Sequence, residues 1–124
     1  MCDNSPASPR GRLVRALVED CWRDQAGLDR MAELLTPGYV HHTPWGDWDY
    51  AQFLTGMEHV DSLFTGRTYR VMHLVDDGQL VAAFVKWSAT RQSDGSTVDG
   101  RGAYHCRLEG DLVAEDWDAF FPSA

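Results

Sequence analysis

Two short stretches hold the residues best suited to chemistry: Tyr39-Val40-His41-His42 and Glu115-Asp116-Trp117-Asp118-Ala119-Phe120. Asp118 has Trp117 before it and Phe120 two places after it, and a carboxylate among aromatic rings loses hydration. Such a group can take a proton from carbon between two carbonyls, or return one to an alkoxide. The other reading of Asp118 is a solvated acid at a strand end, in a segment already acidic through Glu115 and Asp116. His41 and His42 are neighbours on a segment that reads as extended, so one faces inward and the other outward. The inward one can act as a pocket acid, base or hydrogen-bond donor, or can simply cap the sheet edge. Adjacent strand histidines cannot comfortably share one ion, and no acidic partner stands at helical spacing, so no metal site is expected.

Aromatic residues supply a candidate wall. Trp45, Trp48 and Tyr50 precede a helix carrying Phe53. They read as a lid that stacks on a planar ligand, or as a staple that ties the loop to the core. Trp22 and Trp87 suit a cavity wall or plain core. His73 and Lys86 fall on adjoining strands and on one sheet face, as polar lining or as the solvent side. With His105 and Trp117 from the last two strands, these aromatic residues and His73 make the candidate substrate-binding set. Glycine-rich phosphate loops, GxSxG, HExxH and Cys/His nucleophile patterns are absent from the sequence, which favours proton transfer or binding without a cofactor.

Composition narrows the classes further. The 124 residues carry 11 basic and 19 acidic side chains, a net charge of −8, with no basic stripe to neutralise phosphates, so a nucleic-acid partner is not expected. A hydrophobic fraction of 44%, with five Trp, five Phe and four Tyr, supports one packed domain. The longest apolar run, Leu80 to Val85, is strand-sized, so no membrane span is expected. Cys2, Cys21 and Cys106 form neither a CxxC nor a zinc spacing and read as free thiols in a reducing, cytoplasmic setting.

The elements that must position these residues follow from periodicity. Residues 1–9 read as a disordered leader and 10–124 as a single domain. Leu13, Val14, Leu17, Val18, Cys21 and Trp22 recur at helical spacing. A second helix with Leu28, Met31 and Leu35 on one face follows a break at Gln25-Ala26-Gly27 and stops at Thr36-Pro37-Gly38. Tyr39 to Pro44 reads as extended and Trp45-Gly46-Asp47-Trp48 as a loop. Asp49 caps a third helix that ends at Gly66. From there the period changes to two. Strands are predicted over Thr68–Val75, Gln79–Gln92, Thr97–Leu108 and Leu112–Ala119, the first two joined by a hairpin at Asp77-Gly78. Gly100 and Gly102 read as a bend in the sheet. Helices first and a strand meander after them predict an α+β fold with helices on one face of a curved antiparallel sheet.

This order, with Pro37-Gly38-Tyr39-Val40-His41-His42 after the second helix, is similar to the nuclear transport factor 2-like cone fold. The segment from Tyr104 to Asp118 resembles the end of SnoaL-like polyketide cyclases. In that family, Arg-Phe, a turn with Asp-Gly-Lys, and Ile-Val-Glu-His-Trp-Asp are common. Arg107, Leu108, Val113, Ala114, Glu115, Trp117 and Asp118 take those places without gaps, while Gly110-Asp111-Leu112 departs from the turn and Asp116 replaces the His. The resemblance spans about residues 10–121.

It implies a cone-shaped sheet of about four to six strands wrapped on three N-terminal helices, and pairing of two or more copies through the sheet. It also implies an acid/base role for Asp118. Tyr104 stands fourteen positions earlier, where the ring-closing members have an assisting His; His105 is adjacent and points to the opposite face unless a bulge intervenes, so either can take that place. His41 and His42 fall where the family often sets His or Asn against the ligand. The expected activity is a cofactor-independent, aldol-type ring closure on a polyketide-like or other planar apolar small molecule. Dehydration, isomerisation, epoxide opening and plain binding are the alternatives on the same fold.

Overall fold

The computed structural model describes residues 8–123; most of the expected leader, residues 1–7, lies outside the described residues. Helix α1 (Pro9–Ala16) begins earlier than its apolar spacing suggests. The Ser8 hydroxyl accepts the Gly11 N–H at 3.0 Å, and Pro9 occupies a first-turn position where no N–H is needed. A wider π-helical turn, Leu17–Cys21, continues α1 and delivers Trp22 to the interior. The expected break at Gln25-Ala26-Gly27 is instead the first turn of α2 (Gln25–Met31), because the Asp24 side chain caps it through the Gly27 N–H.

Strand β1 (Leu35–Thr43) already includes Thr36-Pro37-Gly38, expected as a helix stop. Trp45-Gly46-Asp47-Trp48 is likewise no free loop: β2 (Gly46–Trp48) folds back on β1 and sets Trp48 opposite His41. Helix α3 (Tyr50–Leu63) starts with a reciprocal capping box between Asp49 and Gln52. Four long strands follow: β3 (Phe64–Asp76), β4 (Leu80–Arg91), β5 (Thr97–Glu109) and β6 (Leu112–Pro122). The hairpin between β3 and β4 is as expected but one residue along. Asp77 donates its N–H to the Leu80 carbonyl, so Gly78 and Gln79 make the turn, with Gly78 at φ +93°.

The sheet order is β2-β1-β6-β5-β4-β3, antiparallel throughout except for the parallel pair β1/β6. Two strands lie between Tyr69 on β3 and Phe120 on β6, so along a flat sheet three inter-strand spacings, roughly 14 Å, would part them. Their ring centroids are 6.2 Å apart, so the sheet curls strongly. Inside the curl, Val81, Ala83 and Val85 of β4 and Cys106 and Leu108 of β5 pack against Val14, Leu17, Leu28 and Met31 of the helices. Gly102 permits this curvature at one point: a Cβ there would overlap the Phe120 ring. The predicted bend therefore has a steric partner. Cys21 and Cys106 are free and buried, as expected. Among the described residues no helix is long and apolar enough to cross a membrane.

Candidate functional site

The parallel register of β1 and β6 sets His41 beside Asp116 and His42 beside Trp117. Alternation does the rest. Tyr39, His41 and Thr43 turn inward from β1, as do Asp116, Asp118 and Phe120 from β6, while His42, Glu115 and Trp117 turn outward.

Asp116 is 0% exposed and collects three donors. Tyr39 Oη donates at 2.9 Å, Tyr104 Oη at 2.8 Å and His41 Nδ1–H at 2.6 Å. A carboxylate taken out of water is tolerated only with such a set of partners. The other nitrogen of the same imidazole, Nε2, stands 3.5 Å from Oδ2 of Asp118. His41 thus bridges a buried carboxylate and one that reaches the cavity. Burial alone would lower its pKa; hydrogen bonds to Asp116 and Asp118, and the charges of both, outweigh that and push it up to about 9. His41 is therefore an imidazolium near neutral pH. Burial, with the Asp116 charge and hydrogen bond, holds Tyr39 and Tyr104 above the ordinary phenol range, so both keep their protons.

The cavity in front of this pair holds about 270 Å³. Trp22, Trp48, Phe53, Trp87 and Phe120 give it aromatic walls, Met57, Val60 and Phe64 extend the apolar lining, and Trp45 stands at its mouth, 82% exposed. Of the residues singled out in the sequence, His41, Asp118, Trp22, Trp45, Trp48, Phe53 and Trp87 meet here.

Six others do not, each for a physical reason. Tyr104 is Asp118's direct cross-strand partner, but its hydroxyl goes to Asp116 and its ring packs edge-on against Trp22 at 4.9 Å, behind the cavity wall. Tyr50 donates to the Leu28 carbonyl at 2.7 Å and ties α3 to α2. Trp117, though next to Asp118 in sequence, lies on the outer face, stacked between His42 and His105 with centroids 4.9 and 4.7 Å away. His42 is held there by Asp47 and Glu115, each at 2.7 Å; those two hydrogen bonds raise its pKa. His73 is exposed on the outer face near Phe84, which with Lys86 makes that side the solvent side.

Sequence reasoning missed Asp116, Tyr39, Arg67 and Tyr69. Asp116 stands in the sequence as a departure from the family pattern, although its alternation with Asp118 places both on one face. Arg67 lay outside the strand predicted from Thr68. Among the described residues no group of three or more His, Cys, Asp or Glu side chains could hold a metal ion.

A family model described as a SnoaL-like domain matches residues 14–116. No curated protein matches the sequence significantly. Several crystal structures match the fold. A protein described as a SnoaL-like polyketide cyclase from Jannaschia sp. CCS1 superposes with a TM-score of 0.80 at 17% identity, covering 99% of this chain and 92% of that one. AclR from Streptomyces galilaeus, described as a hydroxylase, gives 0.79 at 21% identity over 90% and 88%. IdmH from Streptomyces antibioticus, described as a polyketide cyclase, gives 0.77 at 18% identity over 92% of each. At these identities the likeness is one of fold.

Proposed function

The chain belongs to the SnoaL-like domain family, and from that premise we propose that it is a small acid/base enzyme of secondary metabolism that closes a ring in a polyketide-like substrate by an aldol-type step. The observation that carries this reading is the Asp118–His41 contact at 3.5 Å on the wall of an aromatic cavity, with Asp116 buried behind it. Asp118 removes a proton from carbon between two carbonyls. The enolate attacks a carbonyl folded against it, and the His41 imidazolium hydrogen-bonds the oxygen on which charge develops, then gives it a proton. The proton taken by Asp118 returns to His41 across their contact, so the site resets without a cofactor or outside acid. The aromatic walls keep the chain folded and water away, and orientation supplies part of the rate.

The same contact also suits carrying one proton between neighbouring substrate atoms, which is the isomerase or dehydratase alternative. The protein works in this reading as a cytoplasmic homodimer joined through the outer sheet face. The buried thiols Cys21 and Cys106 agree with a reducing setting; burial pushes both up, Cys106 to about 12, and leaves them inert.

Deuterium uptake at the acidic carbon of 2-acetyl-1-tetralone, followed by NMR, tests the reading. Exchange should be accelerated by the protein and should fall about 100-fold or more in Asp118→Asn. Undiminished exchange in that variant overturns it.

A further inference from the structure

Arg67 and Tyr69 stand on β3, at the opposite edge of the sheet from β1, and both line the cavity. The Arg67 guanidinium is already engaged. Its Nη2 donates to Asp61 Oδ1 at 2.6 Å, and its Nη1 donates to the Trp22 carbonyl at 2.6 Å and to the Tyr69 hydroxyl oxygen at 3.4 Å. Asp61 offsets its charge, which makes this corner a poor place for a free carboxylate. Tyr69 is different. Its oxygen accepts from Arg67, while its own proton meets no acceptor among the described residues. Burial pushes the Tyr69 hydroxyl up, so the proton stays on. The indole N–H groups of Trp22 and Trp87, two more wall residues, are also buried without an acceptor among the described residues. Buried donors are nearly always paired in a folded protein. Three unpaired donors around one cavity, against the single carboxylate of Asp118, make its wall rich in donors and poor in acceptors.

We propose that Tyr69, positioned by Arg67, donates a hydrogen bond to a neutral carbonyl oxygen at the far end of the ligand, and that the ligands of this cavity are planar, acceptor-rich ketones. Arg67 fixes the Tyr69 oxygen and strengthens its O–H as a donor, because a hydroxyl that accepts from a cation is polarised. The inference deepens the acid/base reading and rests on it for the other end of the ligand, where Asp118 and His41 work.

Two phenols that differ by one carbonyl provide the test: 5-hydroxy-1-tetralone and 5,6,7,8-tetrahydro-1-naphthol, with binding followed by quenching of tryptophan fluorescence. Wild type should prefer the ketone. Tyr69→Phe removes an O–H that has no internal acceptor and one long contact of Arg67, whose Nη1 and Nη2 keep the Trp22 carbonyl and Asp61, so the variant keeps the fold. It should weaken ketone binding about fivefold and leave the tetrahydronaphthol unaffected. Asp118→Asn should keep the ketone preference while losing deuterium exchange, so the two ideas fail separately. Equal affinities in wild type, or an unchanged preference in Tyr69→Phe, overturns the carbonyl corner whatever the exchange experiment shows.

Discussion

Nδ1 of His41 lies 2.6 Å from Oδ1 of Asp116, a contact between adjacent parallel strands that solvent does not reach. The proton on His41 is therefore tied to folding as well as to chemistry. In the folded chain its pKa is about 9, against 6.5 for a free imidazole. The bound proton contributes stability in full below pH 6.5 and loses it as pH rises through 9, about 3 kcal/mol in all. His42 adds a smaller effect of the same sign, being raised by Asp47 and Glu115 in a more open place. Urea unfolding at pH 6 and pH 9.5 should show the fall, and Asp116→Asn should flatten most of it. An equally steep fall in that variant would assign the linkage to other groups.

Tyr104 separates a structural role from a catalytic one. Its hydroxyl is one of three donors to Asp116, and its ring is sealed behind Trp22. Tyr104→Phe should cost about 1–3 kcal/mol of stability by leaving the buried carboxylate short of a partner. Ligand affinity and deuterium exchange should change little, because Tyr39 and His41 still hold Asp116 in place. Loss of exchange by 100-fold at unchanged stability would return Tyr104 to the donor role that its place in the family pattern suggested.

What could be read from the sequence was the period, and what escaped was whatever depended on contacts between distant elements. Alternation in the last four strands and the apolar faces of the helices were visible because each is a local pattern. So were the inward turn of one histidine of the His41-His42 pair and the place of Asp118 among aromatic rings. The parallel pairing of β1 with β6 was not, since Leu35–Thr43 and Leu112–Pro122 lie far apart in the chain and no local signal states their register. That register decides that His41 rather than His42 faces the cavity, and that Asp116 backs it. The same ignorance placed Trp117 beside Asp118 in the pocket, when alternation alone puts neighbours on opposite faces. Trp45-Gly46-Asp47-Trp48 read as a loop because a three-residue strand has no period to detect.

Gly102 sets the size of the cavity from below. An added methyl would meet the Phe120 ring, which forms part of the aromatic wall two residues beyond Asp118. The ring has to move, and overpacking of this kind costs about 1–3 kcal/mol. Gly102→Ala should therefore lower stability and weaken binding of 5-hydroxy-1-tetralone together, since the displaced ring alters the space the ligand needs. Reduced stability with unaltered binding would mean that the sheet, not Phe120, yields.

The proposed pairing of two copies puts the outer face of the sheet at the contact. Val75, Phe84 and Phe121 are exposed there, on β3, β4 and β6, and the stacked His42–Trp117–His105 row runs beside them across β1, β6 and β5. Apolar side chains gathered on one open sheet face fit a self-complementary contact between two copies. The cationic row Arg70–Lys86–Arg101, formed by direct cross-strand partners, crosses the same face and ends on Phe121, the partner of Arg101, so the contact centres on Phe84 and Val75 and leaves that row at its rim, because like charges cannot be buried against each other. Wild type should sediment as a dimer at micromolar concentration. Phe84→Asp should dissociate it, since a charge then replaces an apolar ring at the centre of the contact. The variant should still bind 5-hydroxy-1-tetralone, because Phe84 points away from the face that carries His41 and Asp118. A wild-type monomer at high micromolar concentration, or a Phe84→Asp dimer as tight as wild type, would move the interface elsewhere.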